Sequence, residues 1–369
     1  MARALILNER DPLHPKAGGA EIHVAEIFAR LAGRGLEVTL CSTGFPGAPA
    51  RDEHRGLAVW RLGRLPDYYP RAAWTCARET RRHRFDVVVD CLNKLPFLSP
   101  LYSGAPVLAL CHHLFGETAF EQVAWPIAAA VWSVERLIPY VYRSTRFAVI
   151  SESTRDDLVR RGIRAERIEV QHPGIRRPLI PLPPIENRPR QVVYLGRLEP
   201  YKNVDVLLRA VARISQQVPD VALVVIGRGS DRPRLERIAA EVGVKERTRF
   251  EGFVADDERD RLLATSRVCV CPSSKEGWGL TVIESNALAT PNVATDAPGL
   301  RDSVRDGEMG FLVAERDEEA FASRMAELLL DDAVATRMSR AALDWSQRFE
   351  WDHAAVQMEA ALDATLRGA

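Results

Sequence analysis

The chain has 369 residues, with 50 basic and 50 acidic side chains and no formal net charge, a length that at roughly 100–200 residues per domain predicts two domains with real cores. The even balance gives no electrostatic argument for a nucleic acid partner, and the six cysteines form no CxxC pair, which predicts buried thiols in a reducing, cytoplasmic compartment. No uncharged stretch reaches the ~18 residues of a membrane span, and the apolar run before Asn8 and Glu9 is too short for a signal peptide.

Ala4 to Asn8 reads as a first strand. The polar loop Glu9 to Lys16 follows, then AGGAEIHVAEIFARLAGRG, where Ile22, Ile27 and Leu31 recur at helical spacing. A helix from near Gly19 to Gly33 or Gly35 is expected, and Gly18 and Gly19 before it form an anion-binding arrangement. Apolar runs at Val38–Cys41, Val87–Leu92, Val107–Cys111, Phe147–Ile150 and Ile168–Val170 predict further strands, with a helix over Ser153–Arg161 between the last two. Such alternation predicts an α/β fold with a parallel sheet covered by helices on both faces.

Residues 176–190 carry five prolines and no periodicity, and read as an extended connector between domains. The pattern restarts with strands at Gln191–Leu195, Ala222–Ile226, near Phe250, Val268–Cys271, Asn292–Thr295 and Phe311–Val313, and helices over Val204–Ser215 and Arg232–Val242. The expected division is 1–175, connector 176–190, 191–348, and a C-terminal helix in 349–369 packing back toward the first domain. Two open α/β units predict a cleft with ligands at the carboxyl ends of the strands.

Two stretches carry candidate chemistry. EGWGLTVIE, Glu276 to Glu284, follows a strand and enters a helix. Gly277 and Gly279 let a ligand approach the backbone, first-turn N–H groups suit an anion, and both carboxylates lean toward that anion. A phosphate flanked by hydroxyl-binding carboxylates describes a nucleotide sugar. YLGRLEPYKN, 194–203, leaves another strand and offers Arg197 and Lys202 to offset the diphosphate charge.

Together AGGAE (17–21), GRLEPYKN (196–203), EGF (251–253), EGWGLTVIESNA (276–287) and APGLRDSVRDGEMGFLV (297–313) resemble, in order over nearly the whole chain, the family-4 (group 1) retaining glycosyltransferases. The resemblance implies a GT-B fold, two Rossmann-like domains facing across a cleft, and a nucleoside diphosphate sugar as donor with no cofactor or essential metal; no DxD motif stands out. It assigns Arg197 and Lys202 to the diphosphate, Glu276 to the transferred sugar and Glu284 to the ribose diol. Backbone groups of Gly277, Trp278, Gly279, Leu280 and Thr281 would meet phosphate and sugar, with Gly18 and Gly19 approaching from the first domain. The base would sit near Gly227 and Phe253, with Arg228 in the glycine turn beside it. Of the two histidines after Val107–Cys111, His112 is the first choice to face the sugar and His113 the second.

The family's PNGV loop is here HPGI, 172–175. The acceptor is a sugar, a lipid-linked molecule or a small molecule. The region 120–142 reads as a buried helix with an aromatic edge in preference to a seat on the inner membrane face. A sugar-nucleotide epimerase and a non-catalytic sugar-nucleotide-binding subunit stay open beside the transferase reading.

Overall fold

The computed structural model of the protein describes residues 2–118, 120 and 124–368. Two compact units emerge, Met1–Gly174 with Glu350–Ala369 and Ile175–Phe349. In the first unit the strands are β1 (Arg3–Leu7), β2 (Glu37–Ser42), β3 (Arg51–His54), β4 (Leu57–Arg61), β5 (Val87–Cys91), β6 (Val107–Cys111), β7 (Arg146–Val149) and β8 (Ile168–Val170). They form one sheet in the order β3-β4-β2-β1-β5-β6-β7-β8. β1, β5 and β6 are apolar almost throughout because helices cover both faces of a parallel sheet.

One edge departs from the parallel expectation. β3 pairs antiparallel with β4, joined by Arg55 and Gly56, both at positive φ (53° and 81°). That two-residue turn matches the twist of a hairpin.

The helix Gly19–Gly33 packs Val24, Ile27, Phe28 and Leu31 into the core together with Trp351, Ala354, Ala355, Met358 and Leu362 of the C-terminal helix Trp351–Arg367. Arg30 pairs with Asp352 at 2.8 Å and Arg34 with Glu359 at 3.1 Å on the rim of this contact. Gly174 is where the chain leaves this unit: a Cβ there would lie 2.2 Å from the Trp351 amide nitrogen. The glycine of HPGI is therefore fixed by the passage of the C-terminal chain.

The second unit holds β9 (Gln191–Leu195), β10 (Ala222–Ile226), β11 (Thr248–Gly252), β12 (Val268–Cys271), β13 (Asn292–Thr295) and β14 (Gly310–Val313), all parallel, in the order β11-β10-β9-β12-β13-β14. The helix Val204–Ile214 turns Val204, Leu207, Leu208 and Val211 onto this sheet. Residues 175–190 belong to this unit. Ile185 and Arg188 are buried in it, the Arg188 guanidinium donating to Ser266 O at 2.9 Å and Thr290 Oγ1 at 2.8 Å.

All six cysteines are free and buried. No helix among the described residues is long and apolar enough to cross a membrane.

The region 120–142 corrects the reading of a buried helix. Residues 121–123 lie outside the described residues. In the helix Trp125–Glu135, Ala128 and Glu135 are buried, while Trp125 and Ile127 are exposed, as are Leu137 and Tyr140 after it. Apart from Ser133 and Glu135 the helix is apolar, so its sequence carries no polar–apolar contrast to mark the face that Ala128 and Glu135 turn inward.

Candidate active site

In the second unit β9 and β12 are neighbours although β10 and β11 intervene in the chain, so the strand order reverses between them. Crevices at such points are where open α/β sheets bind ligands. The loops that leave these two strands are tied together. Ser274 N donates to Tyr201 O at 3.1 Å, and Asn203 Nδ2 donates to Pro272 O at 3.2 Å and to Ser274 Oγ at 2.8 Å. Asn203 holds φ +50°, a left-handed conformation that asparagine tolerates better than most residues.

This tie presents Lys202 from the β9 loop to Glu276 from the β12 loop, ammonium against carboxylate. Lys202 is buried. Burial alone would pull its pKa down, but the Glu276 charge and hydrogen bond outweigh it and hold the ammonium above its ordinary range. Glu276 is braced from β13, its amide donating to Pro298 O at 3.2 Å. Gly299 sits at φ +81°, and a Cβ there would meet Glu276 O at 2.3 Å. The APG turn is thus shaped to the backbone of Glu276.

Arg197 is exposed on the β9 loop, its guanidinium donating to Tyr201 Oη at 2.7 Å and its carbonyl accepting from Tyr194 Oη at 2.8 Å. It is close enough for its charge to oppose that of Lys202.

The two glutamates do not share one partner. Glu284, on the seven-residue helix Leu280–Asn286, lies 4.0 Å from Arg259, which also binds Asp256 at 3.0 Å and Asp260 at 2.8 Å. Desolvation pushes the Glu284 carboxyl above its ordinary range, with Arg259 opposing. Each carboxylate therefore faces a different cation, Glu284 sharing its one with two aspartates, an arrangement suited to two separated hydroxyl groups.

Several glycines answer to packing first. Gly227, at φ +141°, would place a Cβ 1.8 Å from Gly196 O, and its amide is taken by Gly252 O at 2.7 Å. Gly279 caps the helix at φ +81° with Ser303 Oγ 2.9 Å from where a Cβ would be. Gly277 lies half-buried just before it, and Leu280 and Thr281 open the helix half-buried. The Trp278 side chain is interior, its ring 5.3 Å from that of Phe349, so position 278 can offer a ligand only backbone. Phe253 by contrast is 72% exposed, with the Arg228 guanidinium 5.5 Å over its ring. Cation and ring together form an open platform at the ends of β10 and β11.

In the first unit Gly18 caps the helix that starts at Gly19, and the Gly18 amide donates to Glu21 Oε2 at 2.7 Å. The chain's own carboxylate takes a helix-start donor, the capping role that AGGAE encodes. His112 and His113 follow β6. His113 is half-buried against Phe115, with 5.0 Å between ring centroids. His112 is buried, and its Nε2 lies 3.0 Å from Nδ1 of His23. Burial is the main force pushing both imidazoles down, His112 to about 3, with His113 lowering His112 further and His112 lowering His23.

His23 is the residue the sequence reading missed. Apolar periodicity placed Ile22 on the core face, whereas Ile22 is half exposed and His23 is buried one position on. The spacing to Ile27 was the available signal, since i and i+4 share a helix face.

Comparison with known proteins agrees with this architecture. Residues 17–177 match the model described as Glycosyltransferase Family 4, and residues 180–345 the one described as Glycosyl transferases group 1. The D-inositol 3-phosphate glycosyltransferase of Streptomyces bingchenggensis is 31% identical over 99% of this chain and 90% of its own length. The GDP-mannose-dependent alpha-(1-6)-phosphatidylinositol monomannoside mannosyltransferase of Mycobacterium tuberculosis is 28% identical over 97% of both chains. Among solved structures, sucrose-phosphate synthase from Thermosynechococcus elongatus superposes with a TM-score of 0.83 at 22% identity over 100% of both chains. Anabaena HepE in complex with UDP-glucose gives 0.79 at 19% identity, covering 99% of this chain and 100% of that one. With two parallel-sheet α/β units of the GT-B fold and a relative above 30% identity along almost its whole length, the chain belongs to the group 1, family 4 glycosyltransferases.

Proposed function

We propose that this glycosyltransferase moves a sugar from a nucleoside diphosphate sugar to an acceptor hydroxyl with retention of anomeric configuration, and that side chains rather than a metal meet the diphosphate charge. The observation that carries the reading is the Lys202–Glu276 pair at the point where the second sheet reverses its strand order. A cation and a carboxylate joined there match a ligand with a phosphate beside a hydroxylated ring.

Departure of the diphosphate builds negative charge on the leaving oxygen and positive charge on the anomeric carbon. Lys202 and Arg197 stabilise the first, and fixed charges at such a site need no reorganisation as the reaction proceeds. Glu276 takes the hydroxyls of the transferred sugar and Glu284 the ribose diol. The Phe253–Arg228 platform and the backbone at Gly227 take the base. Backbone groups from Gly277 to Thr281, with Gly18 and Gly19, approach phosphate and sugar, and His112 contacts the sugar, with His113 as the second choice. The departing phosphate accepts the acceptor's proton, so no side chain is assigned as general base.

The two relatives, one named as GDP-mannose-dependent and acting on a phosphatidylinositol monomannoside, the other as acting on an inositol 3-phosphate, favour a phosphorylated or lipid-linked polyol as acceptor. Exposed Trp125, Ile127, Leu137 and Tyr140 beside Arg136 and Arg143 fit a cytoplasmic enzyme that rests on an anionic membrane face.

Proton NMR of the glycosylated product reads the anomeric configuration directly. The donor's configuration is expected, and an inverted product would refute retention. Turnover unchanged by EDTA is expected, and its loss, with recovery on adding a divalent ion, would overturn the metal-free diphosphate site.

A further inference from the structure

We propose that His23 is a positioning residue for glycosyl transfer, fixing the tautomer and ring orientation of His112. The inference rests on the assignment of His112 to the transferred sugar. His23 occupies a core-facing position of the helix Gly19–Gly33, where an aliphatic side chain would pack without desolvating two ring nitrogens. The imidazole instead meets His112 edge to face, with ring planes at 90° and Nδ1 3.0 Å from His112 Nε2.

Two bare lone pairs cannot face each other at that distance, so one proton lies between the rings. Burial keeps both rings neutral. The proton on the shared contact then decides what the far side of His112 offers. If His112 Nε2–H donates to His23, His112 Nδ1 is an acceptor; if His23 Nδ1–H donates, His112 Nδ1–H is a donor. His112 Nδ1 is buried and has no hydrogen-bond partner among the described residues. His23 Nε2 is likewise buried without one, and of the two it is His112 Nδ1, on the ring assigned to the sugar, that is left for a substrate hydroxyl.

The rest of the pair is held in place. Thr154 Oγ1 donates to the His112 carbonyl at 3.2 Å. The Trp351 ring lies 5.9 Å from the His23 ring. Reorienting either imidazole would break the one polar contact they make with each other.

His23→Phe keeps ring volume and removes both nitrogens, and His23→Asn restores a polar group near the position of Nδ1. In His23→Phe, kcat is expected to fall about ten- to a hundredfold with the donor KM little changed, by analogy with the loss when the orienting partner of a metal-bound histidine is removed. His23→Asn should recover most of that loss. Nitrogen-15 shifts of His112 should report one tautomer in the wild type and a mixture in His23→Phe, a readout that mere packing would leave alone.

Wild-type kcat in folded His23→Phe, or a single unchanged His112 tautomer in it, overturns the positioning role. Equal losses in both variants that follow their melting temperatures also overturn it. A His112→Ala control separates the two layers. Unchanged turnover there removes the donor-site reading itself, whereas lost turnover with an unaffected His23→Phe removes only the inference about His23.

Discussion

Replacing Lys202 with methionine keeps the length of a buried side chain and deletes its charge. Two effects follow, and they can be measured apart. On folding, Glu276 loses its cation, but its side chain is 24% exposed and water can reach it. The penalty should fall to about 1–2 kcal/mol, below the ~3–5 kcal/mol of a fully buried orphaned charge. On catalysis, the leaving diphosphate loses a preorganised cation worth about 3–4 kcal/mol, hence a drop of roughly a hundred- to a thousandfold in kcat. Steady-state release of nucleoside diphosphate gives the second quantity and thermal unfolding the first. A folded Lys202→Met enzyme turning over within threefold of wild type would show that the pair is structural and that the diphosphate binds elsewhere.

Four other outcomes follow from the same geometry. Glu276→Gln frees Lys202 from its carboxylate, so calorimetry should find nucleoside diphosphate bound about tenfold tighter, a difference of ~1.4 kcal/mol, even as transfer falls; unchanged affinity would mean that the ligand does not compete for that lysine. Because burial holds the His112 imidazole down at about 3 in the folded protein against an ordinary value of 6.5, the unfolded chain binds more protons between these values, so stability is intact above pH 6.5 and declines as the pH falls toward 3. The His112 share approaches an upper limit of about 4–5 kcal/mol, and a His23→Phe/His112→Phe double variant should flatten that part of the melting-temperature profile relative to wild type. Gly227→Ala would force a Cβ to within 1.8 Å of Gly196 O, so a loss of about 3 kcal/mol or more in stability is expected by denaturant unfolding. Glu284→Gln should raise KM for a ribonucleotide donor several-fold and leave a 2′-deoxyribose analogue nearly unaffected, since the diol contact is already missing there.

Much of the fold is legible in the residues because buried parallel strands are nearly continuous apolar runs. Val107–Cys111, Ala222–Ile226 and Val268–Cys271 stand out for that reason and match the observed strands residue for residue. The β3–β4 hairpin escaped because RDEH is polar and its turn uses Arg55 at positive φ, where an asparagine or aspartate would have signalled it. The helix Trp125–Glu135 misled because a nearly continuous apolar run has no period that distinguishes a buried helix from an exposed one.

At the candidate site, glycines and charges at strand ends could be placed, but their pairings could not. Lys202 and Glu276 lie 74 positions apart and His23 and His112 lie 89 apart, and no local pattern records a contact made across a sheet. Gly227 and Gly299 add a constraint of the same kind, since each makes room for backbone from the neighbouring loop, which no local pattern records either.

The most direct test of the account is donor turnover by the purified protein against a panel of UDP-, GDP- and ADP-sugars, with and without a phosphorylated polyol acceptor, followed by NMR. The account predicts that one nucleotide class is cleaved to nucleoside diphosphate, slowly alone and faster with acceptor, with the sugar recovered on an acceptor hydroxyl. Conversion of a donor into a different nucleotide sugar without acceptor, or binding of every donor with no cleavage of any, would contradict it.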